Sequence, residues 1–226
     1  MAEKQLNHFG VFAFTDAYWA LEPSRRRSVL DDWVQNMSHL SERMYTYTIF
    51  PARAEADIML WSACIAERNE VASEFFLRYA QAVAGWRTFL KPVNTLWGFT
   101  RPSVYAPGKS EQELNPFDDS RKPYLIAYPF AKTAEWYLMS KDARQGMMNE
   151  HIKVGRQYPE ITQLLLYSTG LQDHEFVVVY ETDDLPQFSE LVMVLRSTEA
   201  RRYTLRDTPI YTALYQPTEE FLKTWG

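Results

Sequence analysis

Short runs dense in aromatic and β-branched side chains recur along the chain at 9–14, 43–50 and 57–63, and again at 123–130, 161–168, 176–180 and 209–215. Runs of this length, bounded by Gly, Pro, Asn and Asp, predict strands. Between them, apolar residues fall three and four apart over 23–40, 70–88, 140–158 and 185–198, the spacing of amphipathic helices. Ser140 is placed to cap the third of these helices, with Asp142 in its first turn and Tyr158-Pro159 at its end. The turn-forming stretch from Thr169 to Asp173 separates two of the strands.

The order strand, helix, strand, strand, helix, strand occurs twice, and one shift relates the two occurrences. Displaced by 118 residues, Tyr18-Trp19-Ala20-Leu21, Arg26 and Asp31-Asp32-Trp33 fall on Trp136-Tyr137-Leu138-Met139, Arg144 and Asn149-Glu150-His151. The same shift lays Ala56–Trp61 on His174–Val179. A common offset across separate elements points to two copies of one supersecondary unit. The expectation is an α+β protein of two ferredoxin-like units in tandem, antiparallel sheets covered by helices. The first unit spans 1–100 and the second 123–226. The Pro-, Gly- and Asn-rich stretch 101–122 is a linker and candidate lid.

Composition narrows the function. Apolar residues make up 46 % of the 226 and charged residues 23 %, as in an ordinary globular chain. Twenty-four Lys and Arg against 29 Asp and Glu leave a net charge of −5, and only Arg25-Arg26-Arg27 clusters the basic residues, so nucleic acid is not an expected partner. No apolar run approaches the roughly twenty residues of a membrane span, and no signal peptide is expected before the first strand. The single cysteine, Cys64, excludes an internal disulfide and covalent haem attachment through Cys-x-x-Cys-His; a cytoplasmic location is the expectation. Aromatic residues at 15 % serve either core packing or a lined cofactor pocket.

The second unit carries the candidate chemistry. His151 shares a helical stripe with Met147, Val154 and Tyr158, so it faces where the apolar side faces, whereas the first unit has Trp33 at the matching place. Such a histidine is either a hydrogen-bonded core residue or an iron ligand, since a neutral imidazole in an apolar pocket suits a haem. Gln163 alternates with Ile161, Leu165 and Tyr167 on one strand face, where an amide needs a pocket to serve. Tyr128 and Lys132 close the strand run Tyr128-Pro129-Phe130-Ala131-Lys132, as a redox-capable phenol and a cation or simply as strand and surface residues, and Trp136 follows as a core or pocket-lining indole.

Tyr128-Pro129-Phe130-Ala131-Lys132, Glu135-Trp136-Tyr137-Leu138, His151 followed by Gly155-Arg156-x-Tyr158, Ser168-Thr169-Gly170-Leu171 and Leu195–Arg201 together resemble the chlorite dismutase and coproheme decarboxylase superfamily. The likeness is close over the second half and loose over the first. It implies two ferredoxin-like halves forming a dimeric α/β barrel, assembly into a homopentamer, and haem or coproheme bound in the C-terminal half. By resemblance His151 is the proximal iron ligand, Glu199 its acidic hydrogen-bond partner, Tyr128 the phenol that becomes a radical, and Lys132 the propionate partner and proton carrier. Trp136 would then stack near the macrocycle.

Gln163 selects the branch. Chlorite dismutases resemble this chain but carry a distal arginine, where coproheme decarboxylases of one group carry glutamine; a one-residue slip would put Leu164 at that place. The implied activity is peroxide-dependent oxidative decarboxylation of iron-coproporphyrin III (coproheme) to haem b, the end of a haem pathway, with hydrogen peroxide as co-substrate and a ferrochelatase as transient partner. A chlorite-degrading haem enzyme and a haem-transfer protein are the alternatives. One departure stands: another decarboxylase group has a histidine base in a Gly-Val-His-Arg-Pro loop, and here Thr100 occupies that place in Gly98-Phe99-Thr100-Arg101-Pro102.

Overall fold

In the computed structural model, residues 3–106 and 110–226 are described. The first unit contains β1 (Gln5–Phe14), α1 (Asp16–Trp19), α2 (Pro23–Ser38), β2 (Arg43–Thr48), β3 (Ile58–Ile65), α3 (Val71–Trp86) and β4 (Leu90–Phe99). The second contains β5 (Tyr124–Lys132), α4 (Ala134–Leu138), α5 (Lys141–Gly155), β6 (Thr162–Tyr167), β7 (Phe176–Thr182), α6 (Leu185–Arg196), a 3-10 turn (Glu199–Tyr203), β8 (Thr204–Arg206), β9 (Tyr211–Gln216) and α7 (Thr218–Trp225). A shift of 118 residues carries β1, α1, α2 and β3 onto β5, α4, α5 and β7 to within a residue or two.

The strands run β7-β6-β4-β1-β3-β2-β9-β5, and β5 pairs again with β7, so these eight close into one antiparallel barrel. Each unit contributes four neighbours in the same ferredoxin-like order, β4-β1-β3-β2 and β9-β5-β7-β6. One seam joins Thr46–Thr48 of β2 to Leu214–Gln216 of β9. The other is the single pair Phe99↔Tyr167 between β4 and β6. Gly98 permits that second approach: a Cβ there would stand 2.6 Å from Ser168 Oγ and 2.8 Å from the Tyr167 carbonyl.

Alternation along each strand sorts the side chains. Phe9, Tyr47, Trp61, Leu125, Leu166 and Val177, from both units, pack inside the barrel. Outside the first unit, α2, α3 and α7 cover the sheet with Leu30, Trp33, Phe75 and Trp225 around Phe12 and Phe14. The two units therefore share one interior core, and α7 of the second unit completes the helical layer of the first.

Besides the short helices α1 and α4 and the 3-10 turn, three elements lie outside the sequence expectation. β4 is not located by its pattern, because Lys91, Pro92, Asn94 and Thr95 interrupt its apolar run, and its pairing with β1 shifts register at Val11/Phe12. β8 has three residues and extends the edge of β5 beyond β9. α7 buries Phe221, Leu222 and Trp225 and is tied to α1 by the Tyr18 hydroxyl donating to the Trp225 carbonyl at 2.7 Å.

The segment 110–122 straps one end of the barrel. Leu114 enters the interior cluster, and the Leu114 N–H donates to the Gln163 carbonyl at 2.9 Å. Arg121 penetrates further, its guanidinium 3.4 Å from Glu181 with the two side chains only 2 % and 3 % exposed, and it lies over the Tyr45 and Trp61 rings.

Candidate functional site

The two units differ most in what their first long helix buries. α2 sinks Val29, Leu30, Trp33, Val34 and Met37 into the first unit, whereas its counterpart α5 has no buried residue. The sheet face beneath α5 and α6 retains a small cluster of Ile161, Tyr180 and Leu191, with Tyr128, Val154, Tyr158 and Phe188 partly buried around it. Leu165, on that face, is 43 % exposed. A helix with apolar side chains held over a sheet without burying them leaves room for a flat apolar ligand.

β5, β7 and β6 form the floor. Their registers align Ile126, Tyr180 and Gln163 in one row, Tyr128, Val178 and Leu165 in the next, and Phe130, Phe176 and Tyr167 in a third. Alternation puts all nine outward, with Lys132 beyond the last row. Gln163 is exposed on this face, while Leu164 points inward and is 6 % exposed.

Tyr128 is diagonal to Tyr180, their ring centroids 6.3 Å apart and their planes 28° from parallel. Burial first, and then Tyr180, hold the Tyr128 phenol well above the ordinary tyrosine range, so it stays protonated at any physiological pH. Tyr180 also meets Phe188 of α6 at 5.1 Å. Sequence reasoning did not single Tyr180 out, although its alternation with Val178 on β7 carries the signal.

His151 and Lys132 meet electrostatically. The His151 Nδ1 atom is enclosed and, among the described residues, has no hydrogen-bond partner. Burial and then the Lys132 charge push its pKa down to about 4, with Glu150 opposing, so the imidazole is neutral at pH 7. Lys132 is itself brought down to about 8 by burial and by Arg201, with Glu175 opposing. Its Nζ donates to the Ala200 carbonyl at 3.2 Å and stands 4.2 Å from the Trp136 ring centre. A neutral, largely enclosed imidazole beside an open apolar face suits an iron porphyrin, whose metal takes an unprotonated ring nitrogen.

Two other expectations are altered by the geometry. Glu199 does not partner His151 here: its carboxylate pairs with Arg202 at 3.1 Å, three residues along the 3-10 turn, where both side chains are mostly exposed. Its backbone N–H instead donates to Glu150 at 3.2 Å. Trp136 is 4 % exposed and wedged between Lys132, Tyr105 and Tyr203, as a wall beneath Lys132 rather than an open stacking surface. Thr100 is occupied structurally, accepting from the Gln5 N–H at 2.9 Å and donating to the Glu3 carbonyl at 3.3 Å.

The fold and this chain's sequence both have relatives. A coproheme decarboxylase of Mycolicibacterium smegmatis is 28 % identical over 168 residues, covering 74 % of this chain and 70 % of that protein. The chlorite dismutase of Candidatus Nitrospira defluvii in complex with imidazole superposes with a TM-score of 0.83 at 22 % identity, over 100 % of this chain and 96 % of that one. A substituted form of the same enzyme gives 0.83 at 22 %, over 98 % and 95 %. The family model described as chlorite dismutase matches residues 15–215, across both units and the strap between them. With the match running from α1 into β9, over most of the chain, the chain belongs to the chlorite dismutase family.

Proposed function

We propose that this protein is a coproheme decarboxylase that converts the two reactive propionates of iron-coproporphyrin III to vinyl groups with hydrogen peroxide, yielding haem b. The observation that carries the reading is a neutral imidazole on α5 beside the Lys132 ammonium, above a sheet face that carries the protonated Tyr128 phenol and that the helix leaves open. The named relative from Mycolicibacterium smegmatis supports it.

Bound iron-coproporphyrin, the substrate itself, supplies with peroxide the oxidising equivalents of the reaction. His151 would bind the iron, being neutral without any proton first having to leave. Tyr128 would give up its phenolic hydrogen atom, and the resulting oxygen radical would take one from the propionate carbon next to the ring. Loss of carbon dioxide and a further electron leaves the vinyl group. Each propionate consumes one peroxide and one proton and releases two waters. Lys132, with a pKa of about 8, is charged in most molecules at pH 7 and so holds a carboxylate, yet it can hand over a proton more readily than an ordinary lysine. Gln163, an exposed neutral amide on the same face, would orient a polar ligand without fixing an anion.

Tyr128→Phe tests the reading. Titration of the coproheme-loaded protein with peroxide, followed by mass spectrometry, should show two successive decarboxylations in the wild type and none in the variant, which still binds coproheme. Undiminished conversion by the variant would remove the radical role. The structural likeness to chlorite dismutases motivates one rival, chlorite breakdown. Oxygen release from chlorite by protein that leaves coproheme propionates intact would favour that rival.

A further inference from the structure

The third floor row ends in a cation on each side. Phe130, Phe176 and Tyr167 are cross-strand neighbours on β5, β7 and β6, with ring centroids 6.5 Å and 5.4 Å apart in turn. At one end the Lys132 ammonium stands 5.1 Å from the centre of the Phe130 ring. At the other the Arg101 guanidinium stands 5.4 Å from that of Tyr167. The three rings are half-buried, and the strands that carry the two outer rings, β5 and β6, lie two inter-strand spacings, roughly 10 Å, apart.

Arg101 reaches this place from the segment after β4, not from the sheet. Thr100 pins its start to β1. Further on, the Tyr105 carbonyl accepts from Gln145 of α5 at 3.0 Å and the Tyr105 ring meets Trp136 at 6.3 Å. The segment therefore runs from β4 to α5 along the rim of the open face. Among the described residues Arg101 makes no ion pair, so its charge has no internal neutralising partner. A guanidinium held over an aromatic ring keeps its donor edge free for a carboxylate.

We propose that Arg101 is a carboxylate-anchoring residue of the ligand site, gripping an acidic side chain on the side of a flat macrocycle opposite the one held by Lys132. This rests on the porphyrin-binding reading and extends it from the iron to the periphery. A tetracarboxylate porphyrin engages both cations across the Phe130-Phe176-Tyr167 shelf, and a porphyrin whose acids are capped engages neither. Arg101 then contributes to selection for the acid-rich substrate over a product with two fewer carboxylates.

The test is an absorbance titration of ligand-free protein with iron-coproporphyrin III and, separately, with its tetra-amide. Arg101→Ala should weaken binding of the tetra-acid about tenfold, the size expected for losing one charge-assisted hydrogen bond at a partly exposed site. It should leave the tetra-amide unchanged, and Arg101→Lys should recover most of the loss. Circular dichroism melting confirms that the variants fold. Wild-type affinity of Arg101→Ala for the tetra-acid, or an equal loss for the tetra-amide, overturns the anchor while the porphyrin reading stands. If the wild-type protein binds neither porphyrin, both readings fall together.

Discussion

His151 should titrate far from a free histidine, and the departure can be measured without any bound porphyrin. Its pKa falls from 6.5 to about 4 in the folded protein, burial being the larger cause and Lys132 the second. That depression corresponds to about 3 kcal/mol in favour of the neutral ring. At pH 5.5 an ordinary histidine is roughly nine-tenths protonated, whereas His151 should be so in only a few per cent of molecules. Because the unfolded chain binds the proton more tightly, the native state loses stability as pH drops from about 6.5 towards 4. Long-range nitrogen–proton NMR of ligand-free protein between pH 8 and 4 reads the midpoint, with His151→Gln to assign the signal. Lys132→Met should raise it, yet leave it below 6.5, because burial outweighs the charge. A wild-type midpoint near 6.5 would mean that the ring is solvated and that its readiness to bind metal has another origin.

Two further perturbations probe the frame. His8 is buried against Phe75 and Tyr79, and burial lowers its pKa to about 3, so the native state binds fewer protons than the unfolded one. His8→Leu should flatten the loss of stability between pH 7 and 5 by about 2 kcal/mol, measured by urea unfolding at those two pH values; an unchanged pH dependence would refute it. Gly98→Ala puts a methyl 2.6 Å from Ser168 Oγ and 2.8 Å from the Tyr167 carbonyl at the narrow seam of the barrel. It should cost about 2 kcal/mol and lower Tm by several degrees, and a variant as stable as wild type would show that β4 and β6 can part freely.

The repeat was legible because it lives in periodicity. Trp33 and His151 lie on corresponding helix faces in a shared α+β unit, and the apolar spacing around them survives even where identities do not. β4 was not legible, since a strand broken by Lys91, Pro92 and Asn94 is held by pairing with β1 rather than by its own pattern. His151 and Gln163 could be named from the sequence because each is a polar side chain on an apolar helix or strand face, whereas Tyr128 and Lys132 were named through the family resemblance of the run Tyr128–Lys132. Arg101 and Tyr180 could not, for different reasons. The importance of Arg101 comes from a segment folding back across β6, and that of Tyr180 from the cross-strand diagonal to Tyr128. The place of the Glu199 carboxylate was not legible either, as Arg202 lies within reach on the same turn and pairs with it.

The asymmetry between the two units has an energetic consequence. α2 is fixed by five buried side chains, three of them Leu, Trp and Met, each worth about 1.5–3 kcal/mol when fully removed from water. α5 lacks that anchorage and is held mostly by polar ties, with Ser140 capping Ala143 at 3.2 Å, Gln145 donating to Tyr105, Glu150 accepting from Glu199, and Gln112 reaching the Gly155 and Tyr158 carbonyls at 3.3 and 2.8 Å. A flat apolar ligand beneath α5 would restore the missing burial, so binding and ordering of this helix must be linked. Hydrogen exchange should therefore be fast along α5 and slow along α2 in ligand-free protein, and coproheme should slow α5 selectively, leaving α2 as it was. Equal protection of both helices before loading would mean that α5 is held by packing of its own. The open face would then be rigid without its ligand, and the ligand would gain nothing from ordering it.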